Sequence, residues 1–137
     1  MKENELVRVR DVMKREFDMV DGLATVADAL RDMKYVSTKA LVVKRRDDDD
    51  EYGIVSLEDI ATEVLAKNRA PERVNIYEIM DKPLIGVDPA MDIRYCARLF
   101  ERYRLNRAAV VENREVIGIV SYADIVIKGM RSLIKRQ

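Results

Sequence analysis

Gly53-Ile54-Val55-Ser56-Leu57-Glu58-Asp59 returns further along the chain as Gly118-Ile119-Val120-Ser121-Tyr122-Ala123-Asp124. Each copy reads as an apolar strand running without a loop into a helix that opens on Ser-x-x-Asp. Two more blocks repeat in the same order ahead of it. Val7-Arg8-Val9-Arg10-Asp11-Val12-Met13 matches Val74-Asn75-Ile76-Tyr77-Glu78-Ile79-Met80, and Ala40-Leu41-Val42-Val43 matches Ala108-Ala109-Val110-Val111. Three blocks in fixed order mark two copies of one supersecondary unit, neither of which buries its apolar face alone. A polar pair at the same point of each copy predicts two equivalent sites.

The chain has 137 residues, and a copy of roughly 60 residues buries only about 60% of its unfolded surface. The copies are therefore expected to share one core and to fold as a pair. Hydrophobic residues make up 48% and charged residues 36%, the balance of a globular protein rather than a disordered one. Formal net charge is zero, so no overall field draws the chain to nucleic acid or to an anionic membrane. The basic ends, Arg8, Arg10, Lys14 and Arg15 at one side and Arg131, Lys135 and Arg136 at the other, read as solvated surface. No apolar run approaches the ~18 residues of a membrane helix and there is no signal peptide, so a cytoplasmic location is expected. The single cysteine, Cys96, sits in an apolar helical stripe and reads as a small core residue. There is no histidine, which removes the commonest general base and metal ligand; no catalytic residue and no metal site are expected.

Within each copy the pattern is strand, helix, hairpin, helix. Asp18-Met19-Val20 and Ile85-Gly86-Val87 are the short first strands. Asp21-Gly22 and Asp88-Pro89 then turn into helices carrying Val26, Leu30 and Met33 in one copy and Ile93, Ala97 and Phe100 in the other. Strands 40–43 and 53–55, and their counterparts 108–111 and 118–120, are close enough for hairpins. The first hairpin tip, Arg45-Arg46-Asp47-Asp48-Asp49-Asp50-Glu51, lacks the glycine and alternating spacing of a calcium loop and reads as solvated. In the closing helices, Ile60, Val64 and Leu65 mark one apolar face, and Val126, Met130 and Leu133 the other. Residues 68–73, with Pro71, form the linker. The domains are thus repeat 1 over 7–67 and repeat 2 over 74–132.

Two readings of Ser-x-x-Asp stay open. In the first it is a capping box, with Ser56 or Ser121 capping the helix and Asp59 or Asp124 reaching back. In the second the same groups hold a ligand. Free N–H groups beside a hydroxyl suit phosphate, and a carboxylate one turn in accepts both hydroxyls of a ribose. A cation precedes the inner strand in each copy, Lys39 and Arg107; it is either a surface charge or a phosphate partner. Ala40, Ala108, Ala109, Phe17, Leu84 and Ile85 are core, or in part the rim around a flat base.

Taken together, the Asp11-Val12-Met13 and Glu78-Ile79-Met80 lead-ins, the Val-Val strands and the complete Gly-apolar-x-Ser-x-x-Asp motif resemble a tandem pair of CBS (cystathionine-beta-synthase-type) domains, covering about residues 7–130. The resemblance implies an α/β (α+β) fold of two pseudo-twofold-related repeats, each a small sheet with two packed helices. It also implies a regulatory sensor that binds AMP, ADP, ATP or S-adenosylmethionine in two clefts between the repeats. By that resemblance Ser56 and Ser121 bond ribose or phosphate, and Asp59 and Asp124 bond the ribose hydroxyls. Lys39 and Arg107 sit at the phosphates, the backbone at Ala40 and Ala108 reads the adenine edge, and Ile54 and Ile119 lie near the ring. No cofactor is required. The implied partners are an adenosyl ligand, a second copy in a homodimer held by Val64 and Leu133, and an effector protein. The alternative is a ligand-free structural or dimerisation module. Departures are Leu41 and Ala109 where a proline is usual, and Lys14 and Asp81 where Thr or Ser follows the lead-in Met. Aligning Lys39 with Arg107 needs a gap, and the second copy fits the pattern better.

Overall fold

The computed structural model describes residues 6–134, so Lys135 and Arg136 lie outside the described residues. In chain order the elements are α1 (Val9–Val12), β1 (Asp18–Val20), α2 (Val26–Asp32), β2 (Ala40–Val43), β3 (Gly53–Ser56), α3 (Leu57–Ile60), β4 (Gly86–Val87), α4 (Ile93–Tyr103), β5 (Arg107–Glu112), β6 (Glu115–Ser121) and α5 (Arg131–Leu133). A π-helical stretch, Ala61–Leu65, prolongs α3, and a second, Asp124–Met130, leads into α5.

The chain divides into two compact units that are not the two sequence copies. A central unit spans Glu16–Leu84; a terminal unit combines the residues up to Arg15 with those from Ile85 onward. Each holds a three-stranded sheet of the same design. In the central unit β1 runs parallel to β2, with Asp18 opposite Leu41, and β2 pairs antiparallel with β3, with Ala40 opposite Ser56. In the terminal unit β4 is parallel to β5 and β5 antiparallel to β6, with Arg107 opposite Ser121. The parallel pairs are bridged by α2 and α4, as a parallel crossover requires, and the antiparallel pairs by hairpins. Thr25 caps α2 by accepting from Asp28 N, and Asp92 caps α4 by accepting from Arg94 N.

The buried apolar residues form two clusters, one in each unit, where a single shared core was expected. The reason lies in the lead-in segments. Val9, Val12 and Met13 open the first copy but are buried with Ile93, Cys96, Phe100 and Val120 of the terminal unit. Val74, Ile76 and Ile79 open the second copy but are buried with Val26, Leu41 and Val55 of the central unit. A lead-in thus completes each core, supplying apolar surface that a lone copy lacks.

Helix faces differ in detail from the sequence reading. Ala29 rather than Leu30 is buried on α2, and Cys96 rather than Ala97 on α4. On the closing helices Val64 and Leu133 are 3% and 5% exposed, so neither supplies a dimer interface. The wider π-helical turns put Ile125, Gly129 and Leu133, four apart, on the inner face. Val126, Ile127 and Met130 consequently face solvent, as does Leu65. Burial pushes the Cys96 thiol up to about 11, in keeping with a core residue. At the acidic hairpin tip Asp50 is not simply solvated. Its carboxylate is held by Arg46 and by the Lys82 ammonium at 2.7 Å, which keep it well below the usual carboxylate range.

Candidate functional site

The last residue of β3 and of β6 is the motif serine, and the helix begins on the next residue. In the central unit Asp59 N donates to Ser56 Oγ at 3.0 Å and Ser56 N donates to Asp59 Oδ2 at 3.2 Å. In the terminal unit the corresponding bonds are 3.1 and 3.0 Å, and the Ser121 hydroxyl also donates to Asp124 Oδ2 at 3.0 Å. Both motifs therefore form complete capping boxes. Each aspartate spends Oδ2 on its own helix start, which fixes where Oδ1 lies.

The lead-in segment pairs with the motif strand in the same way in both units. Lys14 N donates to Ile119 O at 2.8 Å and Ile119 N to Lys14 O at 2.9 Å; Asp81 and Ile54 exchange the same two bonds at 2.9 Å. The motif glycine makes this close approach possible. A Cβ on Gly118 would stand 2.6 Å from Lys14 O, and one on Gly53 2.8 Å from Met80 Sδ and 3.3 Å from Asp81 O. Lys14 and Asp81 are thus equivalent positions carrying opposite charge.

That difference decides what each aspartate meets. Lys14 Nζ lies 2.6 Å from Asp124 Oδ1, and Lys128 Nζ lies 3.4 Å from the same oxygen and 3.3 Å from Val12 O. Asp124 is 3% exposed. Burial pushes its carboxyl up, but the Lys14 ammonium and the Ser121 N–H and hydroxyl outweigh it and hold the group below its ordinary value. In the central unit the position of Lys14 is Asp81 and that of Lys128, four residues after the motif aspartate, is Glu63. Desolvation and then the Asp59 charge raise the Asp81 carboxyl, although the residue as a whole is exposed.

The sheet register corrects the alignment of Lys39 with Arg107. Arg107 stands opposite Ser121, whereas the residue opposite Ser56 is Ala40. Leu57 N donates to Lys39 O just as Tyr122 N donates to Asn106 O, so Lys39 corresponds to Asn106. Lys39 is exposed and left-handed at φ 56°, one residue outside the strand. A cation directly opposite the motif serine is consequently a feature of the terminal unit, while Lys39 lies one position before that register in the central unit.

Of the remaining residues singled out, Ser56, Asp59, Lys39, Ala40, Ile54, Phe17 and Leu84 fall in the central unit. There Ile54 and Phe17 are half-buried, Ala40 is fully buried with its carbonyl accepting from the Thr38 hydroxyl at 3.1 Å, and Leu84 N donates to Tyr52 O. Ser121, Asp124, Arg107, Ala108, Ile119 and Ile85 fall in the terminal unit. Ala108 and Ile119 are core residues at 2% and 1% exposure, while Ile85 is 39% exposed. The residues that sequence reasoning left out of the site are Lys14, Asp81 and Lys128. The signal for Lys14 and Asp81 is the sign change right after the lead-in methionine, and for Lys128 the four-residue spacing from Asp124.

The family model for the CBS domain matches residues 9–66 and 76–130. A hexameric CBS-CP12 protein from bloom-forming cyanobacteria is similar at 35% identity and TM-score 0.88, over 96% of this chain and 76% of that one. A conserved CBS domain protein of unknown function from Thermoplasma acidophilum is similar at 31% and 0.77, over 90% and 69%. The CBS domain pair of protein MJ0100, solved in complex with 5'-methylthioadenosine and S-adenosyl-L-methionine, shares the fold at 23% identity and TM-score 0.72, over 89% of this chain and 98% of that one. Among curated relatives, the mitochondrial CBS domain-containing protein CBSX3 of Arabidopsis thaliana is 26% identical over 89% of this chain. The chain spans 64% of that relative and 61% of an uncharacterized protein of Methanopyrus kandleri, under two thirds of each. With both copies of the motif matched in order and the fold in agreement, this chain belongs to the CBS-domain family and carries two CBS domains in tandem.

Proposed function

We propose that the chain is a regulatory, non-catalytic module of the cytoplasm that binds an adenosyl ligand (AMP, ADP, ATP or S-adenosylmethionine) and passes its ligation state to an effector protein. The observation that carries this reading is the duplicated junction itself. In each unit a strand delivers a serine and an aspartate to a helix start, beside a lead-in residue and the first residue of the neighbouring strand. Hydroxyl, carboxylate and helix N–H groups in one place suit a ribose and its 5' substituent. The ligands named for the MJ0100 pair define the class to be tried first. The ligand acts by population shift, favouring one arrangement of the chain only as far as it binds that arrangement better.

Isothermal titration of the purified protein with adenosine, AMP, ADP, ATP and S-adenosylmethionine tests it. Saturable binding is expected, with Asp59→Ala and Asp124→Ala each weakening one component roughly 10- to 150-fold, the value of lost charged hydrogen bonds. No heat with any of the five, and an unshifted melting temperature, would leave the second reading standing. That reading, a ligand-free structural or dimerisation module, is favoured by the completeness of both capping boxes, which satisfy serine and aspartate with no ligand present.

A homodimer is part of the proposal. Its contact surface is Val126, Ile127, Met130 and Ile134 of the closing helix, between 45% and 58% exposed, in place of the buried Val64 and Leu133. Light scattering should give twice the chain mass for the wild type and a single chain mass for Ile127→Glu. A monomeric wild type at micromolar concentration would sink the dimer.

A further inference from the structure

Three equivalent positions around the two motif aspartates differ in charge, all in the same direction. After the lead-in methionine the terminal unit has Lys14 and the central unit Asp81, and both are fixed by paired backbone bonds to the motif isoleucine. Opposite the motif serine stand Arg107 and Ala40. Four residues past the motif aspartate stand Lys128, which reaches Asp124, and Glu63, which pairs with Lys67. Two sites that are copies in backbone are therefore opposite in electrostatics. The sequence pattern, scored by motif alone, makes them look equivalent.

We infer that Lys14 and Asp81 are specificity-determining residues which give the two proposed sites opposite ligand preference, the terminal unit taking a phosphate-bearing adenosyl ligand and the central unit a positively charged one. The inference rests on the adenosyl-binding reading above. In the terminal unit the buried Asp124 holds the Lys14 ammonium at 2.6 Å, so the lysine is pre-placed rather than free to sweep solvent, and Arg107 stands on β5 opposite the motif Ser121. A phosphate is favoured there by the Lys14 charge, with Arg107 adding positive charge to the same unit. In the central unit a phosphate would meet the carboxylates of Asp81 and Asp59; the Asp81 carboxyl is raised first by desolvation and then by the Asp59 charge. A like charge opposes binding there, whereas the sulfonium and ammonium of S-adenosylmethionine are matched.

The test is titration of the full chain with ADP, S-adenosylmethionine and uncharged adenosine, in the wild type, Lys14→Glu and Asp81→Lys. Lys14→Glu should weaken ADP roughly tenfold or more and leave S-adenosylmethionine within about twofold; Asp81→Lys should do the reverse and add a second ADP site. The ADP and S-adenosylmethionine affinities are read as ratios to that of adenosine, so that any loss of ribose binding through Asp124 or Asp59 cancels. If a charge reversal unfolds the chain, Lys14→Thr and Asp81→Thr serve instead, with the same directions and smaller size. Parallel changes in ADP and S-adenosylmethionine, or no change in either, would overturn this inference while adenosine binding kept the sensor reading intact. Failure of all three ligands to bind the wild type would remove both.

Discussion

Lys14 and Asp124 are 110 positions apart, yet their side chains form a 2.6 Å ion pair at the terminal-unit motif. Because Asp124 is nearly buried, its charge is tolerable only while partnered, and removing Lys14 leaves the more distant Lys128 to compensate. Lys14→Ala should therefore cost about 1–3 kcal/mol, read by urea denaturation at neutral pH. The pH dependence follows from the direction of the shift. The folded carboxyl lies below its ordinary 3.8, so its contribution is fully present above that value and is lost as pH falls through the folded value. Lys14→Ala should reduce that acid sensitivity. Asp81 has the opposite sign. Its folded carboxyl is raised, so the ionised group opposes folding at neutral pH, and that penalty disappears as pH falls through the folded value towards 3.8. Asp81→Asn should melt higher than wild type at pH 7 and converge with it in acid; equal melting at pH 7 would refute the assignment. The serine and aspartate of each motif were legible in the sequence because a capping box is local. The lysine over Asp124 was not, since nothing local links residue 14 to residue 124.

At the scale of elements, the strand–helix junction was readable and the closing helices only in part: Ile60, Val64 and Leu133 are buried as their spacing predicts, whereas Leu65, Val126 and Met130 are exposed. Gly-Ile-Val-Ser alternates too little and ends too abruptly on a capping residue to be anything but a strand feeding a helix. By contrast, the stripe Val126, Met130, Leu133 fits an ideal 3.6-residue period, and the π-helical stretch from Asp124 to Met130 breaks that period. In the other closing helix Ile60 and Val64 are buried as read, and only Leu65 turns to solvent. The lead-in segment is the other element whose role needed coordinates. It lies along the motif strand through Lys14 and Ile119, over a glycine with no room for a side chain. Since the obstacle at Gly118 is the Lys14 carbonyl, part of the backbone, the strand cannot sidestep it cheaply. Gly118→Ala should destabilise by about 1–3 kcal/mol and displace Lys14 from Asp124. A Gly118→Ala protein of wild-type stability would mean that the lead-in does not hold this position in solution.

For the whole molecule, the repeat in the sequence and the compact unit in space are different partitions of one chain. Internal similarity locates the copies because each strand, helix and hairpin is encoded locally. It says nothing about which copy a lead-in segment completes, because Val7–Met13 and Val74–Met80 are alike and carry no label for their destination. The partition has a consequence for folding. Val9, Val12 and Met13 are each less than 10% exposed within the terminal core, and burying one such side chain is worth about 1.5–3 kcal/mol. Losing all three removes an amount comparable with the ~5–15 kcal/mol that holds a domain together. A fragment cut at the repeat boundary, residues 74–137, keeps β4, β5 and β6 but lacks α1, and should show no cooperative thermal transition by circular dichroism. Residues 16–84 keep every member of the central cluster, including Val74, Ile76 and Ile79, and should unfold cooperatively. Cooperative melting of the 74–137 fragment would show that the lead-in is dispensable to the terminal core, and that the sequence copy rather than the compact unit is what folds.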